Sequence, residues 1–512
     1  MSTGQSDGAP AVGESDDAPS VETGAGSPGR RIFGNFVALS ATRPITWLAT
    51  IGLTILLPRY LGDVYLGKIN LAFAFADWCG LFASFGIAVW LAKEVARRRE
   101  EAPSIALNAL TLSMTLAVSV GVIGVVVATL IGFDPLTQIL IYLLTAHMLL
   151  MVFTGVLIGA LQGVQELRIV AVVDAVMKVS QVAMIAGVLL SGYGPVAVAL
   201  AYIAADVLAV VWLVVAVRSR VGLQGPVRWK SWRGVLVGGM PFLVWESALL
   251  TYARVDVVIL AVFASDAVLG WYGAAYRIIA IPLFIPTVLL TVLFPALSAA
   301  ASDDWSFNRM ARRSVVAVAL ATAPMAFGLM AVTGNLIDLF GYPAEFVNSI
   351  MPTVLLAVSL PLVGINMMVG AILSAKDKQR QWAIAAVIAA LSNVALNFVA
   401  IPITQDRFDN GAIGAAIVTS FTEVLLFVAG CILLPAGTLD RSTYVAAGKC
   451  LAIAGVMGIL VRMINEWSIV LTIPIGMAVY GFGVVVAGVL TREDLTTFRS
   501  LIARRTSGPA DV

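Results

Sequence analysis

LPRYLGDVYLGKINLAFAF (residues 57–75) and LAVFASDAVLGWYGAAYRI (260–278) align along their length, with Leu66-Gly67 set against Leu269-Gly270 and Ala72 against Ala275. Two further matches follow in order. Ser180-Gln181-Val182-Ala183 answers to Ser392-Asn393-Val394-Ala395, and GPVAVALAYIAADV (194–207) to GAIGAAIVTSFTEV (411–424). The offsets of 203, 212 and 217 residues grow slowly, as loops of unequal length would make them. One such match arises by chance in any apolar helix, but three in order indicate an internal duplication.

What is duplicated is made for lipid. Of the 512 residues 60% are hydrophobic and 12% charged, with a mean hydropathy of +0.96, whereas soluble domains carry about 25% charged residues. Apolar runs long enough for a hydrocarbon core of about 30 Å recur along nearly the whole chain. They give fourteen spans, at 36–58, 69–91, 104–131, 136–161, 169–191, 195–217, 240–263, 275–299, 314–340, 347–374, 382–404, 410–434, 443–464 and 468–490. With both termini cytoplasmic, 24 of the 32 Lys and Arg residues fall in inner loops, the side that holds the excess in membrane proteins. Six crossings return the chain to its starting side, so the two halves are parallel repeats. The expectation is an all-α polytopic membrane protein with two pseudo-symmetric six-helix lobes and two C-terminal helices. Its divisions are a disordered acidic tail (1–30), an N-lobe (31–233), a C-lobe (234–440), helices 13 and 14 (441–490) and a cytoplasmic tail (491–512). The first residues lack the basic start and apolar stretch of a signal peptide, which leaves the first span as the targeting element.

The charged residues within the spans include Arg43, Asp77, Asp174, Lys178, Asp206, Glu246, Arg254, Asp256, Arg277 and Glu423. At roughly 2.5 to 3.5 kcal/mol each at the bilayer centre, ten facing lipid would cost on the order of 20 to 30 kcal/mol. A fold stable by about 5 to 15 kcal/mol cannot carry that, so most of them face a polar interior. Asp174 and Lys178 have the spacing of a helical ion pair. Asp206 and Glu423 occupy matching positions in the repeats and lack a cation within a turn. They are candidates for lining a central cavity, where they bind substrate or a coupling cation, or for static hydrogen-bonded groups, and Asp77 is a further coupling candidate.

In YARVDVVILAVF (252–263), Arg254 and Asp256 stand about 200° apart on a helix and do not pair locally. With Pro241 in the first turn and Glu246 at the centre, they flank a polar arc about 160° wide. Span 7 is thus expected at the junction of the lobes, with Arg254 in the cavity and Asp256 fixing a neighbouring helix, with Arg277 as a candidate base. Interhelical locking competes with substrate contact for both. Arg43, about 10 Å into span 1, either forks onto phosphate oxygens or snorkels to the inner interface.

Several motifs carry no chemistry. GDVYLGKI (62–69) lacks the hydroxyl and the preceding strand of a phosphate loop. His147, the single histidine, stands among apolar neighbours as a satisfied core residue. Gly155, Gly159 and Gly163 form a close helix-packing face. Cys79, Cys431 and Cys450 have neither metal nor disulfide spacing. Outer loops too short for a catalytic lobe weigh against an enzyme.

Residues 58–97, residues 239–278 and the Pro295-Ala296-Leu297 ending of span 8 resemble the polysaccharide and oligosaccharide flippases of the multidrug/oligosaccharidyl-lipid/polysaccharide superfamily, over about residues 31 to 490. The resemblance implies two lobes around a central cavity and alternating access. The cargo it implies is a glycan on a polyprenyl or dolichyl phosphate or pyrophosphate, carried across the plasma membrane for surface polysaccharide or glycoprotein glycan assembly. It further implies cationic cavity residues that hold the phosphate, for which Arg43, Arg254 and Arg277 serve here, with Arg59 near the outer mouth. Acids among them depart from a purely cationic cavity and leave the coupling ion, Na+ or H+, open. The expected partners are the lipid-linked glycan and membrane lipids, with no nucleic acid, cofactor or metal site, in a monomer. A cation-coupled multidrug exporter of the same superfamily is the alternative.

Overall fold

The computed structural model describes residues 28–489, and the two tails expected at the ends fall outside them apart from residues 28–30, which open the first helix. Among the described residues there are helices and no strands. They are α1 (Pro28–Ser84), α2 (Ile87–Arg97), α3 (Ala102–Ile131), α4 (Pro135–Gly163), α5 (Leu167–Leu190), α6 (Pro195–Arg220), α7 (Trp229–Phe263), α8 (Asp266–Ala300), α9 (Asp304–Phe340), α10 (Ile350–Ala375), α11 (Gln379–Phe408), α12 (Gly411–Leu433), α13 (Arg441–Met463) and α14 (Ile469–Val486). Twelve helical stretches among the described residues are long and apolar enough to cross a membrane. This is a multi-pass membrane protein.

The first two spans depart from expectation. Instead of two helices joined by a loop, α1 runs through both, broken at Gly62 with φ 73° and ψ 178°, a conformation open essentially to glycine alone. Partners on α8 show that the chain turns back there. Before Gly62 they descend, Trp47 donating to the Ile281 carbonyl and Thr54 to that of Arg277, and just beyond it Asp63 accepts from Trp271. After it they climb again, Gly67 against Asp266 and Asn70 against Gly273. The second arm breaks at Phe85 and Gly86, both with positive φ, and continues as α2. Pro241, expected in a first turn, lies inside α7, which begins at Trp229; apolar surroundings leave the backbone no alternative to a helix even across a proline.

The two duplicated segments pack on each other. A Cβ at Gly67 would run into the Asp266 carbonyl, and one at Gly270 into that of Asp63, so the α1 second arm and α8 approach at backbone distance as small residues permit. Around this crossing one apolar core draws on both halves, with Leu66, Ile69 and Leu140 beside Leu260, Leu269 and Tyr272. Toward the end where Arg97, Lys230 and Arg312 gather, the halves have separate cores, one with Leu91, Val156 and Leu213, the other with Phe307, Val318 and Met368. A fourth core holds α13 and α14 to α9 through Cys450, Met457 and Tyr480. α7 belongs to both sides, since Val235 packs in the first half's core and Leu260 in the shared one. In the glycine ladder of α4, a Cβ at Gly159 would strike the Ala88 carbonyl of α2, the close packing its spacing predicts.

Candidate substrate and coupling site

The three charges of α7 part company. Asp256 is buried and takes hydrogen bonds from its neighbour's backbone, Val257 N–H at 2.8 Å, and from two hydroxyls of α8, Tyr272 at 2.5 Å and Tyr276 at 3.1 Å. It does fix a neighbouring helix, but through phenols and not through an ion pair; Arg277 is not its partner. Arg254, with a side chain 41% exposed, points the other way and gives Nε to Asp77 Oδ2 on the second arm of α1 at 2.8 Å. Glu246 accepts from Ser84 at 3.3 Å.

Asp77, Ser84 and Glu246 line a cavity of about 400 Å³ between α1, α4 and α7, whose remaining wall includes Gly80, Met148 and Leu250. Arg277, one helix on, is within electrostatic reach of Arg254, Tyr202 and Tyr342, and among the described residues its buried Nε meets no acceptor. A buried donor without an acceptor is costly, so this Nε is open to a further partner, and a guanidinium's fork suits oxyanions. Arg59 is exposed, set over the Tyr60 ring at 5.7 Å and against Gly341. Arg43 lies on α1, and its side chain falls outside the described residues.

The repeat-equivalent acids do not line this cavity. Asp206 on α6 is fully buried, hydrogen-bonded to His147 Nδ1 of α4 and to the Gln181 amide of α5 at 3.4 Å. Lys178 turns to the Gln181 carbonyl at 3.4 Å. Asp174 is exposed and forms no ion pair among the described residues, so the expected Asp174–Lys178 pair gives way to the amide. Glu423 on α12 is buried as well, held by the Tyr252 hydroxyl of α7 and by the Asn366 amide of α10 at 2.7 Å. Both carboxylates have partners on other helices, because lipid-free burial without them would cost more than the helix pairing gains. His147, expected as a satisfied core residue, is one, and its partner is Asp206; Tyr252 and Asn366 are neighbours of Glu423 that the sequence did not single out.

At the shared-core end, Lys68 Nζ sits 2.6 Å from Asp134 at the start of α4 and 2.9 Å from Asp266 at the start of α8. One ammonium thus joins the first half to the second, beside the 2.9 Å bond from Trp271 to Asp63. Burial pushes the Asp134 carboxyl up, but Lys68 and the Thr137 donors outweigh it and hold it at about 2.

Residues 33–301 match the sequence profile of the family described as Polysaccharide biosynthesis protein. The chain belongs to this family. It is 27% identical over 247 residues to the "Probable flippase AglR" of Haloferax volcanii, a match covering 46% of this chain and 50% of that protein. To the "Probable low-salt glycan biosynthesis flippase Agl15" of the same organism it is 23% identical over 173 residues, 33% of this chain and 35% of that one. The chain therefore spans half or less of the curated relatives it matches. Among solved structures it is similar to "Lipid II flippase MurJ, inward closed conformation" with a TM-score of 0.74 at 15% identity, covering 89% of this chain and 99% of that one. An inward-facing multidrug resistance MATE family transporter gives 0.64 at 15% identity, covering 78% and 97%. The fold is that of the multidrug/oligosaccharidyl-lipid/polysaccharide superfamily.

Proposed function

We propose that this polysaccharide biosynthesis family member is a flippase that carries a lipid-linked oligosaccharide across the plasma membrane by alternating access, without chemistry on its cargo. The carrier is a polyprenyl or dolichyl phosphate or pyrophosphate. The observation that carries this reading is the pair of guanidiniums on adjacent helices, Arg254 at the lobe junction and Arg277 with a buried, open Nε, a forked and permanently charged receptor for phosphate oxygens. A hydrated glycan cannot enter hydrocarbon unaided, so the polar wall of Asp77, Ser84 and Glu246 supplies replacement hydrogen bonds. The tail needs the opposite surface. Directly after Arg277, Ile278 and Pro282 border an apolar groove of about 500 Å³ completed by Met325, Met457 and Ile473, which supports a phosphate at Arg277 with its tail alongside. The flippase names of the Haloferax relatives support the same class of cargo.

With the basic loops inside, the Lys68 end faces out and the separate lobe cores face the cytoplasm, as a carrier waiting for cargo made on the inner leaflet would be arranged. Deleting the gene and assaying lipid-linked glycans leaflet by leaflet tests the reading. Accumulation on the cytoplasmic leaflet is expected, relieved by the wild-type gene and not by Arg277→Ala. An unchanged distribution with altered drug sensitivity would point to an exporter instead.

A further inference from the structure

The apolar groove beside Arg277 has a counterpart in the first half of the chain. Between the second arm of α1, α3 and α7 lies a groove of about 630 Å³, and the internal repeat relates the two residue by residue. Phe75, Trp78 and Cys79 line it where Ile278, Ile281 and Pro282, each 203 positions on, line the groove beside Arg277. All five residues that α3 gives, from Val120 to Ile131, stand 201 positions before residues that α9 gives to the other groove, from Ala321 to Val332. α7 takes the place of the first arm of α1, and there the halves differ. Ile51 borders the groove beside Arg277. The residue 203 positions on is Arg254, one helical turn before Val258 of the first-half groove. Residues four apart share a helix face, so the guanidinium stands at the inward end of an apolar channel whose outward end is Ile131, Phe133 and Val262. Among the described residues no charged side chain lines either groove. The second difference is cover. α13 and α14 wall the groove beside Arg277 through Met457 and Ile473, whereas the first-half groove is open, with Ile123, Val127 and Val262 exposed.

We propose that the first-half groove takes the polyprenyl tail of the carrier when its phosphate is on Arg254, so that the tail has an outlet to lipid at both lobe junctions. The proposal rests on the phosphate reading above. Lipid tails are as apolar as the groove wall, so apolarity alone favours no hydrocarbon chain over another, and the position of the charge decides. A bilayer phospholipid keeps its phosphate at the membrane surface, where the outward end of the groove offers it no cation among the lining residues. Arg254 lies nine residues before Phe263, the last of α7, about 13 Å inward at 1.5 Å per residue. That is the depth of a phosphate carried into the lobe junction. A tail tied to it displaces an ordinary chain from the groove at little cost, since one hydrocarbon replaces another, whereas in the polar cavity it would expose apolar surface to water. Asp77, the partner of Arg254, precedes Trp78, so one stretch of α1 presents the polar cavity on one face and the apolar groove on the other. Glycan and tail thus part at Arg254. Arg277 is within electrostatic reach of it, so the phosphate can pass between two guanidiniums, each with its own groove.

Photolabelling of the full-length protein in phosphatidylcholine nanodiscs tests this, with farnesyl phosphate bearing a diazirine at the end of its tail as probe and mass spectrometry to place the label. Wild type should carry label in both grooves, on Val127 to Ile131 and Val258 to Val262 in one and on Met325 to Val332 in the other. Arg254→Gln should lose about tenfold of the label on α3 and α7, the scale of one charge-assisted hydrogen bond, and keep that on α9. Arg277→Gln should do the reverse. Val127→Trp, which fills the first-half groove from its exposed wall, should lose the label there alone. In each variant the groove that keeps its label shows that the protein is folded. Label confined to α9 in wild type would overturn the second tail site and leave the phosphate reading standing. So would label on α3 and α7 that survives Arg254→Gln, or that the same diazirine alcohol without its phosphate gives equally. No label in either groove would take down both.

Discussion

Asp206 and Glu423 stand at the same place in the two halves of the chain, yet their surroundings differ in kind. The first-lobe acid meets an imidazole and, through an amide, a lysine. The second-lobe acid meets a phenol and an asparagine amide, groups that keep one protonation state across ordinary pH. Duplication preserved the position of the acid and the need to satisfy it. What differs is the chemistry of the partner, an imidazole in the first lobe and a phenol with an amide in the second.

The contrast can be broken most forcefully at His147. His147→Ala removes one member of a buried pair and leaves Asp206 inside the lobe with a single long amide contact, so thermal unfolding in detergent should show a loss of about 3 to 5 kcal/mol. A loss below about 1 kcal/mol would mean that the lobe's interior is wet enough to solvate the acid. Asn366→Ala in the second lobe takes away one neutral donor and should cost less, about 1 to 3 kcal/mol, in the same assay. Tyr252→Phe sharpens the comparison further: the ring stays, one hydroxyl goes, and a loss of about 1 kcal/mol is expected with transport retained at reduced rate.

The smallest effect belongs to the Lys68 seal. Asp134 is held below its unfolded value, so its stabilisation is present above about pH 4 and fades as pH falls toward its folded value of about 2. Because its side chain is 46% exposed, Asp134→Asn should cost under about 1 kcal/mol near neutrality, and the difference from wild type should vanish in acid.

Much of this was legible in the chain itself. The repeat could be read because Leu66-Gly67 and Leu269-Gly270 are local patterns, and the glycines that made them recognisable are the ones that let α1 and α8 meet. The opposed directions of Arg254 and Asp256 followed from helical geometry, which is set within a turn. The reversal at Gly62 was misread as a loop, since one glycine in an unusual conformation does the work of several turn residues. The ion pairs expected for Asp174, Lys178 and Asp256 were also misread, because spacing along a helix says nothing about an amide or phenol offered by the next helix.

By itself, then, the sequence determined a duplicated, membrane-embedded helical chain and the inventory of charges that have to be accommodated inside it, since apolar length, loop charge and local periodicity are one-dimensional properties. Which carboxylate meets Arg254, which is buried with His147 and which is tied down by tyrosines was decided only in the tertiary structure. Those choices depend on helix pairs distant in sequence, and in a medium that offers no water a polar group's partner is whatever neighbouring helix reaches it.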